Sequence, residues 1–336
     1  MSAITIEAPA KLNLHLKIGG RRPDGFHDIE SLFVALAFGD TLYFETAPPE
    51  TELEIRMNWQ TAKPAAIPPE KNIISRAVSL FRGRTGFNRG VKVTVEKRIP
   101  PGGGLGGGSS DAAAALLALN RLAADGGLLN AAELAEMGAS LGSDVPFFLH
   151  RAFAPTPAAW VTGRGERIQP LELPESVQNL AFVLVNPGFS SDTAEAYRLL
   201  DEFRAKISPE ESHAEAQRRR GEKGNVRFPG ILNHLKTPCS PCPPCLREMP
   251  SFPFSNDFLP VLAGGDKGTA YQRIIDELRG LGAGFAGLSG SGSTCFGVFS
   301  EGDQAESARK ALFKRWPFVI ISFLLARRAI PCYNSK

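Results

Sequence analysis

The sequence predicts an α+β fold, in which helices and strands mix without a regular βαβ repeat. Some stretches have apolar residues at every second position, which is typical of half-buried strands, and others have them at helical spacing. The chain has 336 residues, 43% of them hydrophobic. That length and composition suit a globular protein of one large or two medium domains.

The first 100 residues are predicted to form strands joined by turns, with one helix at 72–81. Pro23-Asp24-Gly25 is a turn signal, because proline fixes φ, aspartate caps the backbone and glycine permits positive φ. Two apolar segments flank Gly39-Asp40, which predicts a pair of strands joined there. The predicted strands are 11–18, 31–38, 41–46 and 91–95.

The remaining elements follow the glycine-rich segment at 102–108. The expected helices are 112–119, 131–140, 194–203, 270–279 and 303–315, and the expected buried strands are 181–185 and 317–326. A second glycine-rich turn, GLSGSGSTCFGVF at 287–299, leads into another strand. From about 208 to 253 the chain has no sustained periodicity and abundant proline, which predicts a disordered insertion or a surface loop.

Residues 100–120, PPGGGLGGGSSDAAAALLALN, place six glycines directly before an alanine-rich helix. A helix N-terminus has unpaired N–H groups and about half a positive charge. Glycines before it let the backbone approach an anion closely, because no Cβ intervenes. Ser109 and Ser110 can cap the helix or donate hydroxyl hydrogen bonds. The segment therefore predicts a phosphate-binding loop.

Three other interpretations of this loop compete. A flexible turn would not need six glycines beside two serines. A dinucleotide-binding fingerprint fits Gly102, Gly104 and Gly107, but it should follow a strand directly, and here two prolines intervene. A Walker A loop needs Lys-Ser or Lys-Thr after its last glycine, and no lysine is present. The cation for a bound phosphate must then come from elsewhere.

Charge and cysteine content limit the possible partners. The net charge is only +3, so neither nucleic acid nor an anionic membrane is expected. Five cysteines and no visible secretory signal predict a reducing, cytoplasmic location. Cys239, Cys242 and Cys245 have the C-x2-C-x2-C spacing of iron–sulfur ligands, but the fourth cysteine of that pattern is missing. We therefore expect no resident metal.

Four stretches together resemble the GHMP small-molecule kinases. These are PPGGGLGGGSSDAAA, APAKLNLHLKIGGRRPDGFHDIESLF, LGSDVPFFL and GLSGSGSTCFGVF. The last three are most similar to the members that phosphorylate a cytidine-diphosphate-linked methylerythritol. The resemblance covers most of residues 4–200 and resumes at about 255. It implies a ribosomal protein S5 domain 2-like N-terminal domain at 1–170 and a ferredoxin-like domain at 171–336, with ATP and Mg²⁺ required.

The resemblance also implies roles for individual residues. It assigns catalysis to Lys11 and Asp144. It assigns ATP binding to Pro101, Gly102, Gly103, Gly104, Leu105, Gly106, Gly107, Gly108, Ser109, Ser110, Asn72 and Lys97. It assigns substrate binding to Asn13, Phe26, His27 and Tyr197. Phe26 stands where the family usually has a tyrosine that stacks on cytosine, so stacking is retained and a hydroxyl is lost.

The residues themselves fit phosphoryl transfer, which needs positioning and charge neutralisation more than covalent chemistry. Lys11 could supply the missing cation, and Asp144 could orient the attacking hydroxyl and accept its proton late. A helix cap is an equally open interpretation of Asp144, since this residue precedes Val145-Pro146. A solvated strand lysine is the alternative interpretation of Lys11. A kinase for another alcohol and a non-catalytic nucleotide-binding protein remain open at this point.

Overall fold

The computed structural model describes residues 2–61, 68, 72–123, 128–153, 156–173, 175–206 and 254–326. The predicted insertion at 208–253, with its three cysteines, lies outside the described residues. Contacts divide the chain into two compact units. The first comprises the described residues of Met1–Leu12, Ile18–Leu171 and Leu325–Lys336, and the second those of Asn13–Lys17 and Glu172–Leu324. The assignment of separate functions to 1–170 and 171–336 stays a prediction.

The first unit contains a mixed six-stranded sheet with the order β3-β4-β2-β5-β6, and β1 pairs with β2 beside this path. Its strands are β1 (Ala3–Arg21), β2 (His27–Ala47), β3 (Leu53–Trp59), β4 (Gly90–Lys97), β5 (Ala158–Gly163) and β6 (Arg167–Leu171). β2 is antiparallel to both β4 and β5, whereas β3 and β4 are parallel. The strand that precedes the glycine-rich segment, β4, is thus paired with a strand on each side.

The predicted strand pair around Gly39-Asp40 is wrong, because β2 runs through this dipeptide as one 21-residue strand. A Cβ at position 39 would lie 2.6 Å from the Cα of Pro9. Gly39 therefore permits the close approach of β1 and does not form a turn. Asp40 is fully buried, and its carboxylate accepts hydrogen bonds from the backbone N–H groups of Arg98 and Ile99.

Four helices of the first unit pack together, and the second of them also packs on β2. They are α1 (Ile73–Thr85), α2 (Gly107–Ala123), α3 (Ala131–Leu141) and α4 (Val145–Phe153). The predicted helices at 72–81, 112–119 and 131–140 are confirmed. Every residue of α2 from Ser110 to Asn120 is buried, so the helix is enclosed on all sides. It gives the glycine-rich segment before it a rigid support.

The second unit contains an antiparallel four-stranded sheet with the order β10-β7-β9-β8. The strands are β7 (Ala181–Asn186), β8 (Phe285–Leu288), β9 (Cys295–Phe299) and β10 (Phe318–Phe323). The helices are α5 (Glu175–Gln178), α6 (Thr193–Lys206), α7 (Phe258–Leu262), α8 (Gly265–Gly280) and α9 (Gly302–Phe313). Their arrangement agrees with the predicted α+β class.

The core of the second unit lies between this sheet and the helices α8 and α9. Val183, Ile274, Leu278 and Phe299 are fully buried there. The apolar stretch 317–326, expected to be a buried strand, forms β10 at the edge of the sheet, where two of the six side chains are buried, three are partly buried and one is exposed. Among the described residues, no helix combines the length and apolar character that crossing a bilayer requires.

Candidate active site

The predicted phosphate loop lies between the end of β4 and the start of α2. Gly102, Gly104 and Gly106 have φ values of 61°, 72° and 69°. Residues other than glycine rarely adopt these backbone angles. The path of the backbone therefore requires glycine at these three positions. At Gly106 space is also limiting, because a Cβ would lie 3.0 Å from Lys11 Cγ and 3.1 Å from Phe148 Cζ.

The loop ends at the N-terminus of α2, where the first N–H groups of the helix have no partner within the helix. The N–H of Ser110 donates to the carbonyl of Gly106 at 2.9 Å and closes the first turn. Gly108 is exposed and Ser109 is partly exposed, so both can meet a ligand, whereas Ser110 is buried. The helix end is suited to bind an anion through backbone amides and the hydroxyl of Ser109.

Lys11 and Asp144 lie beside this loop and form an ion pair. Lys11 Nζ is 3.3 Å from Asp144 Oδ2, and the two side chains are 5% and 27% exposed. The backbone N–H of Lys11 donates to the Leu105 carbonyl of the loop at 2.9 Å. The Lys11 ammonium also lies 4.6 Å from the centre of the Phe33 ring. The lysine is buried, which disagrees with the alternative of a solvated strand residue.

Asp144 is the residue directly before α4, as the sequence predicted, and Pro146 lies in the first turn of the helix. The neighbouring turn at 163–166 lies close to the backbone of the preceding residue, Ser143. Gly165 has a φ of +122°, and a Cβ there would lie 2.5 Å from the carbonyl oxygen of Ser143. Only glycine therefore fits beside the residue that precedes Asp144.

Lys97, one of the residues assigned to ATP binding, belongs to a buried charge cluster with Asp40 and Asp111. Its Nζ lies 2.5 Å from Asp40 Oδ2 and 2.7 Å from Asp111 Oδ2. Burial alone would lower the pKa of Lys97, but the two carboxylates raise it overall. Burial raises the pKa of Asp111 to about 7; Lys97 opposes this rise and Asp40 adds to it. One lysine faces two carboxylates, so a proton on Asp111 balances the charge.

This cluster, which we call the Asp40–Lys97–Asp111 triad, connects both sides of the loop. Asp40 binds the backbone of Arg98 and Ile99 at the end of β4, and Asp111 lies in the second turn of α2. The sequence analysis missed both aspartates. The local sequence gave little sign of their role. Asp40 follows a glycine and was interpreted as part of a turn, and Asp111 follows the two serines of the loop.

Three further predicted residues of the first unit have defined surroundings. Asn72 caps α1, because its Oδ1 accepts from the N–H of Ile74 at 2.9 Å. The Phe26 ring is 49% exposed, and the guanidinium of Arg164 lies 4.7 Å from its centre. His27, the next residue, is buried at the start of β2. Their roles toward nucleotide and substrate stay predictions.

The remaining two predicted residues, Asn13 and Tyr197, belong to the second unit. Asn13 is buried in β1, and its backbone N–H donates to Ser289 Oγ at 3.4 Å. The Tyr197 ring, in α6, packs edge-to-face against Phe258 with 4.9 Å between ring centres. The backbone of Asn13 and the ring of Tyr197 are thus each held by residues of the second unit.

Comparison with known proteins gives matches along most of the chain. The family of GHMP kinases N terminal domains matches residues 72–152, and that of GHMP kinases C terminal domains matches residues 252–317. The 4-diphosphocytidyl-2-C-methyl-D-erythritol kinase of Anaeromyxobacter dehalogenans is 37% identical over 93% of this chain and 85% of its own length. The protein of the same name from Treponema pallidum is 36% identical over 94% of this chain and 97% of its own length.

The fold has a solved counterpart. The crystal structure of a 4-(cytidine 5'-diphospho)-2C-methyl-D-erythritol kinase superimposes with a TM-score of 0.66. The two sequences are 29% identical, and the alignment covers 96% of this chain and 99% of the other. The two-domain architecture expected from the four sequence motifs is confirmed by these matches.

Proposed function

The chain belongs to the 4-diphosphocytidyl-2-C-methyl-D-erythritol kinase family of GHMP kinases, and from this premise we propose how its residues act. The reaction transfers the γ-phosphoryl group of ATP to the 2-hydroxyl of 4-diphosphocytidyl-2-C-methyl-D-erythritol. The products are the 2-phosphate and ADP, within the non-mevalonate route to isoprenoid precursors. The observation that supports our assignment most directly is the Lys11–Asp144 ion pair, anchored to the glycine loop through the Leu105 carbonyl.

In our proposal the glycine loop and the N-terminus of α2 bind the phosphates of ATP through backbone N–H groups. The Lys11 ammonium neutralises charge on the transferring phosphoryl group, which supplies the cation that the loop itself lacks. Asp144 accepts a hydrogen bond from the substrate 2-hydroxyl and aligns its oxygen with phosphorus. As the new O–P bond forms and the bond to ADP breaks, the hydroxyl proton passes to the Asp144 carboxylate.

We propose that Phe26 and His27 contact the cytosine of the substrate. The half-exposed Phe26 ring offers a face for stacking on a pyrimidine, and the nearby Arg164 guanidinium adds positive charge beside it. Asn13 and Tyr197 complete the proposed set of substrate residues. A phenylalanine at position 26 retains the stacking surface without the hydroxyl that is usual in the family.

Magnesium enters our proposal as the counterion of ATP. Within the described parts of the chain, no three His, Cys, Asp or Glu residues cluster in a way that could hold a metal ion. Mg²⁺ keeps several waters and prefers phosphate oxygens, so ATP supplies most of its ligands. The partly exposed hydroxyl of Ser109 is the oxygen donor that this chain would add.

We also propose a cytoplasmic location. The basis is the cysteine content, since five cysteines in a chain of this length indicate a reducing compartment. Cys295 is a free thiol in the core of the second unit, and burial raises its pKa above the usual range. It therefore remains an unreactive thiol.

The experiment that tests the proposal is a coupled ADP-release assay on the full chain with the cytidyl substrate. We expect Asp144→Asn to lower kcat by at least 100-fold and to leave the Kd for ATP within about threefold. Asp266→Asn, at an exposed carboxylate in α8, is the matched control and should retain wild-type rates. A near-normal kcat for Asp144→Asn would show that this carboxylate is not the proton acceptor.

A further inference from the structure

A cavity in the first unit is lined mainly by residues that have no part in the proposed reaction; of the residues assigned to ATP, only Ser110 borders it. Its volume is about 520 Å³, a size that suits a small organic ligand. The N-terminal part of β1, the centre of β2, helices α2 and α4, and residues 325–326 line it, and the lining is mostly apolar. Leu36, Phe38, Leu117 and Phe148 are among the apolar residues of this lining.

Two polar side chains of the cavity have unsatisfied groups. Arg151 is only 6% exposed, and its Nε has no hydrogen-bond partner. One of its terminal nitrogens reaches the Ala326 carbonyl only at 3.5 Å, the limit for a hydrogen bond. The hydroxyl of Ser110, which also lines the cavity and is 1% exposed, has no partner either.

The charge of Arg151 is not balanced by a carboxylate among the described residues. Burial alone lowers the pKa of its guanidinium to about 10, so it remains a cation at neutral pH. Glu7 also lines the cavity, but its side chain is 65% exposed and its carboxylate accepts hydrogen bonds from Thr41 and Arg98. A buried cation without an anion is costly, and a bound anion would remove that cost.

We propose that this cavity, the Arg151 pocket, binds an amphipathic monoanion, namely a medium-chain carboxylate whose head group meets the terminal guanidinium nitrogens of Arg151. A guanidinium matches a carboxylate through two parallel N–H···O bonds. The hydrocarbon chain would cover the apolar lining. This inference is independent of the kinase reaction, because it concerns binding alone.

The ligand preference follows from the same residues. Decanol has the same hydrocarbon chain as decanoate but cannot form the charged pair, so it should bind at least tenfold more weakly. Octanoate lacks two methylenes, and each buried methylene changes affinity about fourfold. Octanoate should thus bind about fifteenfold more weakly than decanoate.

The test is isothermal titration calorimetry of the full wild-type chain with decanoate, octanoate and decanol. We expect saturable 1:1 binding in the order decanoate, octanoate, decanol. Arg151→Met keeps an apolar stem. It should weaken the affinity for decanoate at least tenfold and change the affinity for decanol less than twofold. Arg76→Met, at an exposed arginine of α1, is the control and should change neither.

Three results would overturn the proposal. The first is the absence of saturable decanoate binding to the wild-type chain, and the second is equal binding of decanoate and decanol. The third is decanoate binding only after removal of residues 327–336, which would make the chain itself the occupant. Because the ligand series uses the wild-type protein, the test holds even if Arg151→Met fails to fold.

Discussion

Asp111 is predicted to make the first unit less stable as the pH rises towards neutrality. The carboxyl is fully buried, only one of its oxygens has a partner, and its pKa is raised to about 7 from an ordinary value of 3.8. Replacing it by asparagine preserves the shape of the neutral acid and removes the titration. Asp111→Asn therefore isolates the contribution of this one proton.

The sign follows from proton linkage. Between pH 3.8 and 7 the folded protein holds a proton on Asp111 that the unfolded chain has released. Unfolding free energy therefore falls with rising pH, by up to about 1.4 kcal/mol per pH unit for one proton. From pH 5 to pH 7 the wild type should lose about 2–3 kcal/mol relative to Asp111→Asn. Above pH 8 the difference should be constant.

The assay is urea unfolding of both proteins at pH 5, 6, 7 and 8, followed by tryptophan fluorescence. Trp59 and Trp160 report on the first unit, and Trp316 on the second. The quantity of interest is the difference in unfolding free energy between the two proteins at each pH, because other titrating groups cancel in it. Urea is suitable because it adds no salt, which would screen charges.

A flat difference across this pH range would refute the reasoning, since it would mean that folding does not raise the pKa of Asp111 above its ordinary value. In that case the attraction of Lys97 would offset or outweigh the effect of burial on this carboxyl.

Two further predictions concern the loop and the second unit. Gly106→Ala should raise the KM for ATP about tenfold, because the residue has positive φ and a methyl group would press on Lys11 and Phe148. The control is Gly83→Ala, inside α1 at a position where a Cβ would contact nothing, and it should stabilise the protein by about 0.5–1 kcal/mol. Measurement of the KM for ATP and of urea unfolding would distinguish the effects of the two variants. Glu277→Gln should cost about 1–2 kcal/mol at pH 7, as followed by Trp316 fluorescence. Burial alone would raise the pKa of Glu277, but hydrogen bonds from Trp316, Arg273 and Arg315 lower it overall, so the stabilisation is present above the ordinary pKa of 4.5 and disappears as the pH falls. Equal pH profiles for Glu277→Gln and wild type would contradict this.

The local sequence was sufficient to predict those parts of the structure that depend on the backbone preferences of single residues. The loop at 102–108 and the start of α2 could be predicted because glycine, proline and alanine each restrict φ and ψ in a known way. The position of Asp144 before α4 followed in the same way from Pro146. The alternation of Leu53, Ile55 and Met57 also predicts a strand, β3, which the sequence analysis overlooked.

Tertiary contacts were not predictable from these patterns. Gly39-Asp40 has the composition of a turn, but the glycine makes room for β1 and the aspartate binds a strand end 58 residues later. Lys97 and Asp40 are 57 residues apart, so nothing in the local sequence pairs them. The sequence separation of Lys11 and Asp144 did not predict that their side chains lie close together either. Their proximity was expected only through the family resemblance, and the structure brings the two side chains to 3.3 Å.

The unbroken course of β2 restricts how this chain can change in length. His27 and Asp40 lie on one strand, 13 positions apart, which at about 3.4 Å per residue separates them by roughly 44 Å. An insertion or deletion of one residue between them would turn every later side chain to the opposite face of the sheet. Asp40 would then leave Lys97 while His27 kept its place. Homologous chains should therefore keep this interval constant and accommodate length variation elsewhere.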